Sequence, residues 1–439
     1  MPEIPTAEAA PTQQPAASAS HLRANAAAAA AIAFAVALGL VLRFVWPGDI
    51  EYKGDERWMF EQVQAYLAGG PWPWVGIGSS LLVPHPGMST WLFILLARVL
   101  NAHTPPELAQ GVQLLNALGI LGWLIFARLS VPAAARRAWY WAAALWAVNP
   151  LAIIFERKIW QPSLLPAFVV AFAAAWWYRA RAVPAFLWGV LGAALGQIYM
   201  PAWFFTLAVL IWTLLYDRRS VHWPAWLLGN VVAGWPVLPW LIEIVFRNPD
   251  YHAFETQLPL LHYYLRWPMQ PFGFGIDYTL GRTDMLAFLG GPQLAGHATY
   301  LMGIVYAAVV ILMLTIAAAA IARGRSAGQF DARALFVGGD ETGVLLRAAF
   351  WGYGGLLTAM TLAGLNSHRH YLIMTAPLMA LWAARAIAWS LPTRTGLARA
   401  ILIVAVLCQA ALSAGLIGYI HTTQVIHGEY GPTWRSQQH

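Results

Sequence analysis

The feature that most constrains this chain is a succession of apolar runs, each about the length of a membrane helix. Crossing a bilayer takes roughly 20 apolar residues. On that rule runs fall near 24–45, 107–127, 138–155, 162–178, 184–198, 201–216, 224–246, 296–322, 345–364, 371–390 and 400–420. Of the 439 residues 59% are hydrophobic and only 10% charged, against about 25% charged in a soluble domain. A soluble globular fold is excluded. So is a disordered chain, which needs low hydrophobicity and high charge. The pattern predicts an all-α polytopic integral membrane protein with about eleven transmembrane helices.

Arginine placement sets the expected topology. The connections holding Arg128/Arg136/Arg137, Arg179/Arg181, Arg218/Arg219, Arg323/Arg325/Arg333 and Arg394/Arg399 fall on one side if the shorter apolar segment 88–101 does not span. Short cytoplasmic loops collect Lys and Arg, so this side is expected to be cytoplasmic, together with the N-terminus. The segment 88–101 then lies along the outer interface, as an amphipathic helix can. Three regions follow: a disordered cytoplasmic tail over 1–22, a transmembrane module over 23–420, and a short outer tail over 421–439. The module carries a long first outer loop, 46–106, with interfacial helices, and a second outer loop, 247–295.

The net charge of +7 is accounted for by those loop arginines, so no nucleic-acid partner is expected. Cys408 is the single cysteine, which rules out an intrachain disulfide. The sequence has no Walker loop, no GxGxxG, no CxxC pair and no HExxH.

Charges near a bilayer are costly, and those away from the cytoplasmic face are candidates for function. The densest acidic cluster is Gly48-Asp49-Ile50-Glu51-Tyr52-Lys53-Gly54-Asp55-Glu56-Arg57, just past the first span. Acidic residues in a first helical turn complement the helix dipole. At a membrane surface a carboxylate also deprotonates a hydroxyl or holds a divalent metal. The second cluster is the turn Glu156-Arg157-Lys158-Ile159-Trp160-Gln161, where Arg157 and Lys158 are placed to neutralise a phosphate or to snorkel to headgroups. The third is Asn366-Ser367-His368-Arg369-His370-Tyr371, at the outer start of a late span.

An Asp-Glu pair in a long outer loop after the first span resembles the membrane glycosyltransferases of the GT-C class, which include the protein O-mannosyltransferases and the lipid A aminoarabinose transferases. The resemblance matches Asp55, followed by Glu56, to the family's essential acidic residue. It matches Asn149-Pro150 through Pro166 to the second outer turn, with Arg157 at the family's Arg. The acidic position after it is occupied by Gln161 or Ser163, with Glu56 or Glu156 as the carboxylates left to compensate. His370-Tyr371 with Pro377 is similar to a late Arg-Tyr and Pro pattern, with Arg369 one position out of register.

The resemblance implies transfer of a sugar from a polyprenyl-phosphate donor to an acceptor lipid, glycan or protein. Transfer would occur at the outer, periplasmic face of a bacterial inner membrane. It makes Asp55 and Glu56 the catalytic carboxylates. Arg57, Arg157, Lys158, Trp160, Gln161, Arg369, His370 and Tyr371 become substrate-binding residues, and a divalent metal, Mg or Mn, is left open. The competing expectations are a transporter or flippase, and a non-catalytic subunit of an envelope assembly.

Overall fold

The computed structural model describes residues 15–78, 83–244, 267–326, 340–362 and 369–438. Its helices are α1 (Pro15–Phe44), α2 (Gly54–Leu67), α3 (Met88–Leu100), α4 (Pro105–Ser130), α5 (Ala133–Ala147), α6 (Pro150–Phe155), α7 (Gln161–Trp177) and α8 (Ala182–Ile198). There follow α9 (Ala202–Tyr216), α10 (Trp223–Gly234), α11 (Val237–Ile242), α12 (Ile276–Gly290), α13 (Leu301–Ser326), α14 (Glu341–Leu362), α15 (Ala376–Ser390) and α16 (Thr395–Thr423). Two short antiparallel strand pairs, Val75–Gly78 with Pro84–Pro86 and Gln293–Leu294 with His297–Ala298, are the only sheets among the described residues.

Five stretches are long and apolar enough to cross a membrane: Arg23–Phe44, Pro105–Ser130, Leu301–Arg325, His370–Ser390 and Thr395–Thr423. They coincide with five of the expected spans. The expected span 345–364 lies on α14, apart from its last two positions, which fall outside the described residues. The remaining expected spans are shorter helices or are interrupted. The run 138–155 breaks at Asn149-Pro150, where α5 ends and α6 begins. Asn149 caps the new helix, its Oδ1 accepting from the amides of Leu151 and Ala152, which is the usual work of an N-cap asparagine. The run 224–246 breaks at Trp235-Pro236, between α10 and α11. Proline removes a backbone donor and fits the first turn of the new helix. A count of uninterrupted apolar residues misses both breaks.

The first outer loop holds two helices, as expected. Thirteen-residue α3 is about 20 Å long at 1.5 Å per residue, short of a ~30 Å hydrocarbon core. It packs on α2 and α4. α1 reaches back to Pro15, inside the stretch expected to be a tail.

The core is rich in tryptophan. Trp123, Trp139, Trp141, Trp146, Trp176 and Trp188 are fully buried. Several indoles join helices: Trp123 Nε1 donates to the Trp139 carbonyl at 3.0 Å, Trp139 Nε1 to Thr342 Oγ1 at 3.1 Å, and Trp176 Nε1 to Thr213 Oγ1 at 3.0 Å. In an apolar surrounding such bonds hold helices that have little hydrophobic drive to associate.

Among the described residues, Arg137 and Arg179 of the loop set lie at one end of the bundle with Arg385 of α15, while Arg333 lies outside the described residues. Arg179 pairs with Asp217 and lies 3.8 Å from Glu341, Arg385 pairs with Asp340 at 2.8 Å, and Arg137 donates to Asn25 at 3.2 Å. The opposite end carries the first outer loop, the turn 156–161 and the C-terminal tail. That tail is folded onto the loop. Trp434 donates its amide to the Ile50 carbonyl at 2.9 Å and Tyr52 to that of Pro432 at 3.2 Å, with antiparallel bridges Glu51–Thr433 and Val425–Pro432.

Candidate active site

A cavity of about 340 Å³ opens at this end. Its acidic wall comes from the stretch after α1 and the first turn of α2, which bring Glu51, Asp55 and Glu56 together with Lys53. The turn between α6 and α7 adds Phe155, Lys158 and Trp160; the start of α12 adds Tyr278 and Thr279; His370 precedes α15; and Glu429 and Tyr430 come from the tail.

Lys158 organises the floor. Its Nζ lies 2.7 Å from Glu51 Oε2 and 3.3 Å from Glu56 Oε1, and all three side chains are buried. The ammonium also lies 4.3 Å from the Trp160 ring centre, a cation–π distance. Lys53 adds an ion pair to Glu51 Oε1 at 2.9 Å and donates to the Glu429 carbonyl. Glu56 turns its other oxygen to the Lys53 amide at 3.2 Å, so it also caps α2.

Asp55 stands at the mouth of the cavity, open to solvent. Trp160 Nε1 donates to its Oδ2 at 3.0 Å. The same indole meets the His370 ring edge-on at 4.7 Å, and His370 in turn contacts Tyr199 and Tyr371. Tyr199 stacks on His85 at 5.1 Å, so an aromatic row runs from the first outer loop to Asp55.

Burial dominates the electrostatics. It pushes the Glu51 carboxyl up to about 7, against the pull of Lys158. Asp55 is raised above the ordinary carboxylate range by partial burial and then by the neighbouring Glu56 charge, with the Trp160 hydrogen bond opposing. Burial alone would lower Lys158; its two carboxylates outweigh that and hold it above the ordinary lysine value. With four carboxylates against two lysines, the cavity is net acidic.

The structure redistributes several expected site residues. Asp55, Glu56, Lys158, Trp160 and His370 line one cavity. Arg157 does not. It is fully buried, and its guanidinium donates to the carbonyls of Leu42 at 2.7 Å, Arg43 at 3.3 Å and Trp46 at 2.9 Å. The carbonyls of Leu42 and Arg43 are orphan acceptors in the last turn of α1, where a cation also meets the negative end of the helix dipole; that of Trp46 lies just past the helix. Its charge is absorbed by α1 and is not offered to a phosphate.

Arg57 points to the tail, donating to Gln437 Oε1 at 2.7 Å. Gln161 is buried in the first turn of α7, off the cavity wall. Tyr371 is buried behind His370, its carbonyl accepting from Tyr353 Oη at 2.6 Å. Arg369 begins the turn Arg369–Thr375, while Asn366, Ser367 and His368 lie outside the described residues.

Glu156 is also withdrawn from any metal. Its Oε2 pairs with Arg43 at 2.6 Å, with both side chains fully buried, and its Oε1 accepts from Trp146 Nε1 at 2.8 Å. Among the described residues no cluster of three or more His, Cys, Asp or Glu side chains is arranged for a metal ion. Between Glu51 and Glu56 the position facing both carboxylates is taken by the Lys158 ammonium. The residues present do not fit a divalent-metal site.

Besides the apolar Ile154 and Phe155, six cavity residues are not among the expected site residues. Glu51 and Lys53 belong to the acidic cluster already noted. Tyr278 and Thr279 sit in an outer loop without a transferable motif, and Glu429 and Tyr430 sit in a tail that gave no signal.

The chain is similar to two solved structures. One is ArnT from Cupriavidus metallidurans bound to undecaprenyl phosphate, at 11% identity and TM-score 0.49, over 89% of this chain and 77% of that one. The other is ArnT from the same organism in the apo state, at 15% identity and TM-score 0.49, over 90% and 76%. ArnT is a lipid A aminoarabinose transferase of the GT-C class. No family model and no curated protein matches the chain.

Proposed function

We propose that this protein is an integral membrane glycosyltransferase. It moves a sugar from a polyprenyl-phosphate donor to a hydroxyl acceptor, whether lipid, glycan or protein, at the outer, periplasmic face. The observation that carries the reading is Asp55: a carboxyl raised toward neutrality, oriented by Trp160, at the mouth of a cavity floored by a buried ammonium. A base works best when its proton affinity approaches the working pH.

In the transfer step Asp55 takes the acceptor's hydroxyl proton. The acceptor oxygen bonds to the anomeric carbon as the bond from that carbon to the phosphate oxygen breaks. The electron pair leaves with the phosphate. Lys158 offsets the charge that grows there, which is where fixed charge accelerates a reaction. Near neutral pH Glu51 is part-protonated, which weakens its hold on the ammonium. Trp160, His370 and Tyr278 form the wall on which a sugar ring stacks. The bilayer holds the donor's lipid tail, and the acceptor enters from water.

The test is transfer from a labelled polyprenyl-phosphate sugar by purified protein, with Asp55→Asn as the control. Transfer by the wild type and none by the variant supports the reading. A wild type inert toward such donors, or moving the intact donor across a vesicle bilayer without cleaving it, would favour the transporter alternative.

A further inference from the structure

The second large cavity, about 530 Å³, lies at the other end of the bundle. Pro132, at the start of α5, and Leu391, past the end of α15, both line it, whereas the acidic cavity flanks the opposite ends of these two helices. It therefore sits at membrane-boundary depth, among the loop arginines. Its volume is within the range of ligand pockets, about 300–1,000 Å³.

The polar groups of this cavity are mostly donors. Arg137, Arg385 and Arg399 line it, with Asp340 as the single acid. Asp340 is already committed to Arg385 at 2.8 Å. Arg137 has one bond, to Asn25 Oδ1. Arg399 Nε and the Nε1 of Trp141 are buried and have no hydrogen-bond partner among the described residues. Trp141 itself is only 1% exposed. A buried donor left unmatched costs about 1–3 kcal/mol, and the group that satisfies two such donors is an acceptor. Beside two uncompensated guanidinium charges, that acceptor is an anion. Trp389 and Leu402 supply apolar wall, so the ligand is amphiphilic.

We propose that this cavity binds the phosphate headgroup of an anionic phospholipid from the leaflet on the arginine side. Basic pockets between transmembrane helices at this depth suit such headgroups. The arginines that set topology thus have a second role here, independent of sugar transfer.

The test uses the full-length protein in nanodiscs of defined lipid, followed by native mass spectrometry. The expected result is retention of phosphatidylglycerol over phosphatidylcholine by about 25-fold, about fivefold for each of two guanidinium charges. Arg137→Gln and Arg399→Gln should each cut that retention about fivefold. Arg137 is exposed, so its variant keeps the fold if Arg399→Gln does not. Equal retention of the two lipids by the wild type would overturn the proposal. So would unchanged retention in Arg137→Gln. Displacement of the lipid by millimolar inorganic phosphate would make this a free-anion site and not a lipid site.

Discussion

The indole N–H of Trp160 is hydrogen-bonded to Oδ2 of Asp55 at 3.0 Å, and this one bond both aims the carboxylate and restrains its proton affinity. Burial and Glu56 raise the Asp55 carboxyl, while Trp160 lowers it. Only the ionised form can act as base, so activity falls as pH drops through the Asp55 value. Trp160→Phe removes the restraint, so the acid limb of kcat/KM should move to higher pH. Asp55→Asn should cost at least about 10²-fold at every pH. A limb that stays in place in Trp160→Phe means that another group sets it.

Among the described residues Lys158 is the only cation within ion-pair distance of Glu56 and the nearer of two on Glu51. Removing one partner of a buried pair leaves uncompensated charge and costs about 3–5 kcal/mol. Lys158→Met should lower the thermal unfolding temperature in detergent sharply and abolish transfer. Adding Glu51→Gln and Glu56→Gln to it should restore much of the stability and none of the activity. Recovery of both would remove Lys158 from the transfer step.

Glu51 gives the stability of the protein an inverted pH dependence. Its carboxyl moves from an ordinary 4.5 to about 7 on folding. Between those values the folded chain holds a proton that the unfolded chain has released. Its contribution is therefore complete below about pH 4.5 and is lost as pH rises through about 7, by on the order of 3 kcal/mol. A salt-bridged carboxylate with a depressed value behaves in the opposite sense. Glu51→Gln should flatten the fall of unfolding temperature over this interval; a wild-type protein that grows more stable from pH 4.5 to 7 would contradict the assignment.

Arg157 shows how far sequence alone reaches. Its chemistry, a cation beside an acidic loop, is the same whether it meets a phosphate or a helix end, and only the packing of the turn against α1 decides. Asp55 and Lys158 were legible because membrane charge is scarce, and Trp160 and His370 because they flank charged residues in turns between apolar runs. Glu429 and Tyr430 were not, because no local pattern announces that they close onto Lys53 and Asp49, 376 and 381 positions earlier. The breaks at Asn149-Pro150 and Trp235-Pro236 were written in the sequence as proline punctuation, but mean hydropathy averages over them. Arg157→Ala should lower the unfolding temperature, since two α1 carbonyls and that of Trp46 lose a charged donor at about 1.5–3 kcal/mol for such a bond. The donor KM should change less than twofold at temperatures where the variant is folded. A large rise in KM with unchanged stability would return Arg157 to the phosphate.

The C-terminal tail closes the candidate site and should be required for it. Tyr430 is buried and donates its hydroxyl to the Asp49 carbonyl, Glu429 receives Lys53, and Thr433 bridges to Glu51. Truncation after Gln424 removes all three and uncovers Glu51, whose raised carboxyl depends on burial. The transmembrane helices keep most of their packing, because the backbone hydrogen bonds of the tail run to the loop after α1 and to α12. Transfer should therefore fall at least about tenfold, with helical content by circular dichroism unchanged. Tyr430→Phe, which keeps the ring and drops one hydrogen bond, should cost about 1 kcal/mol of stability and retain most activity. A truncated protein with wild-type kcat/KM would show that the tail covers the cavity without shaping it.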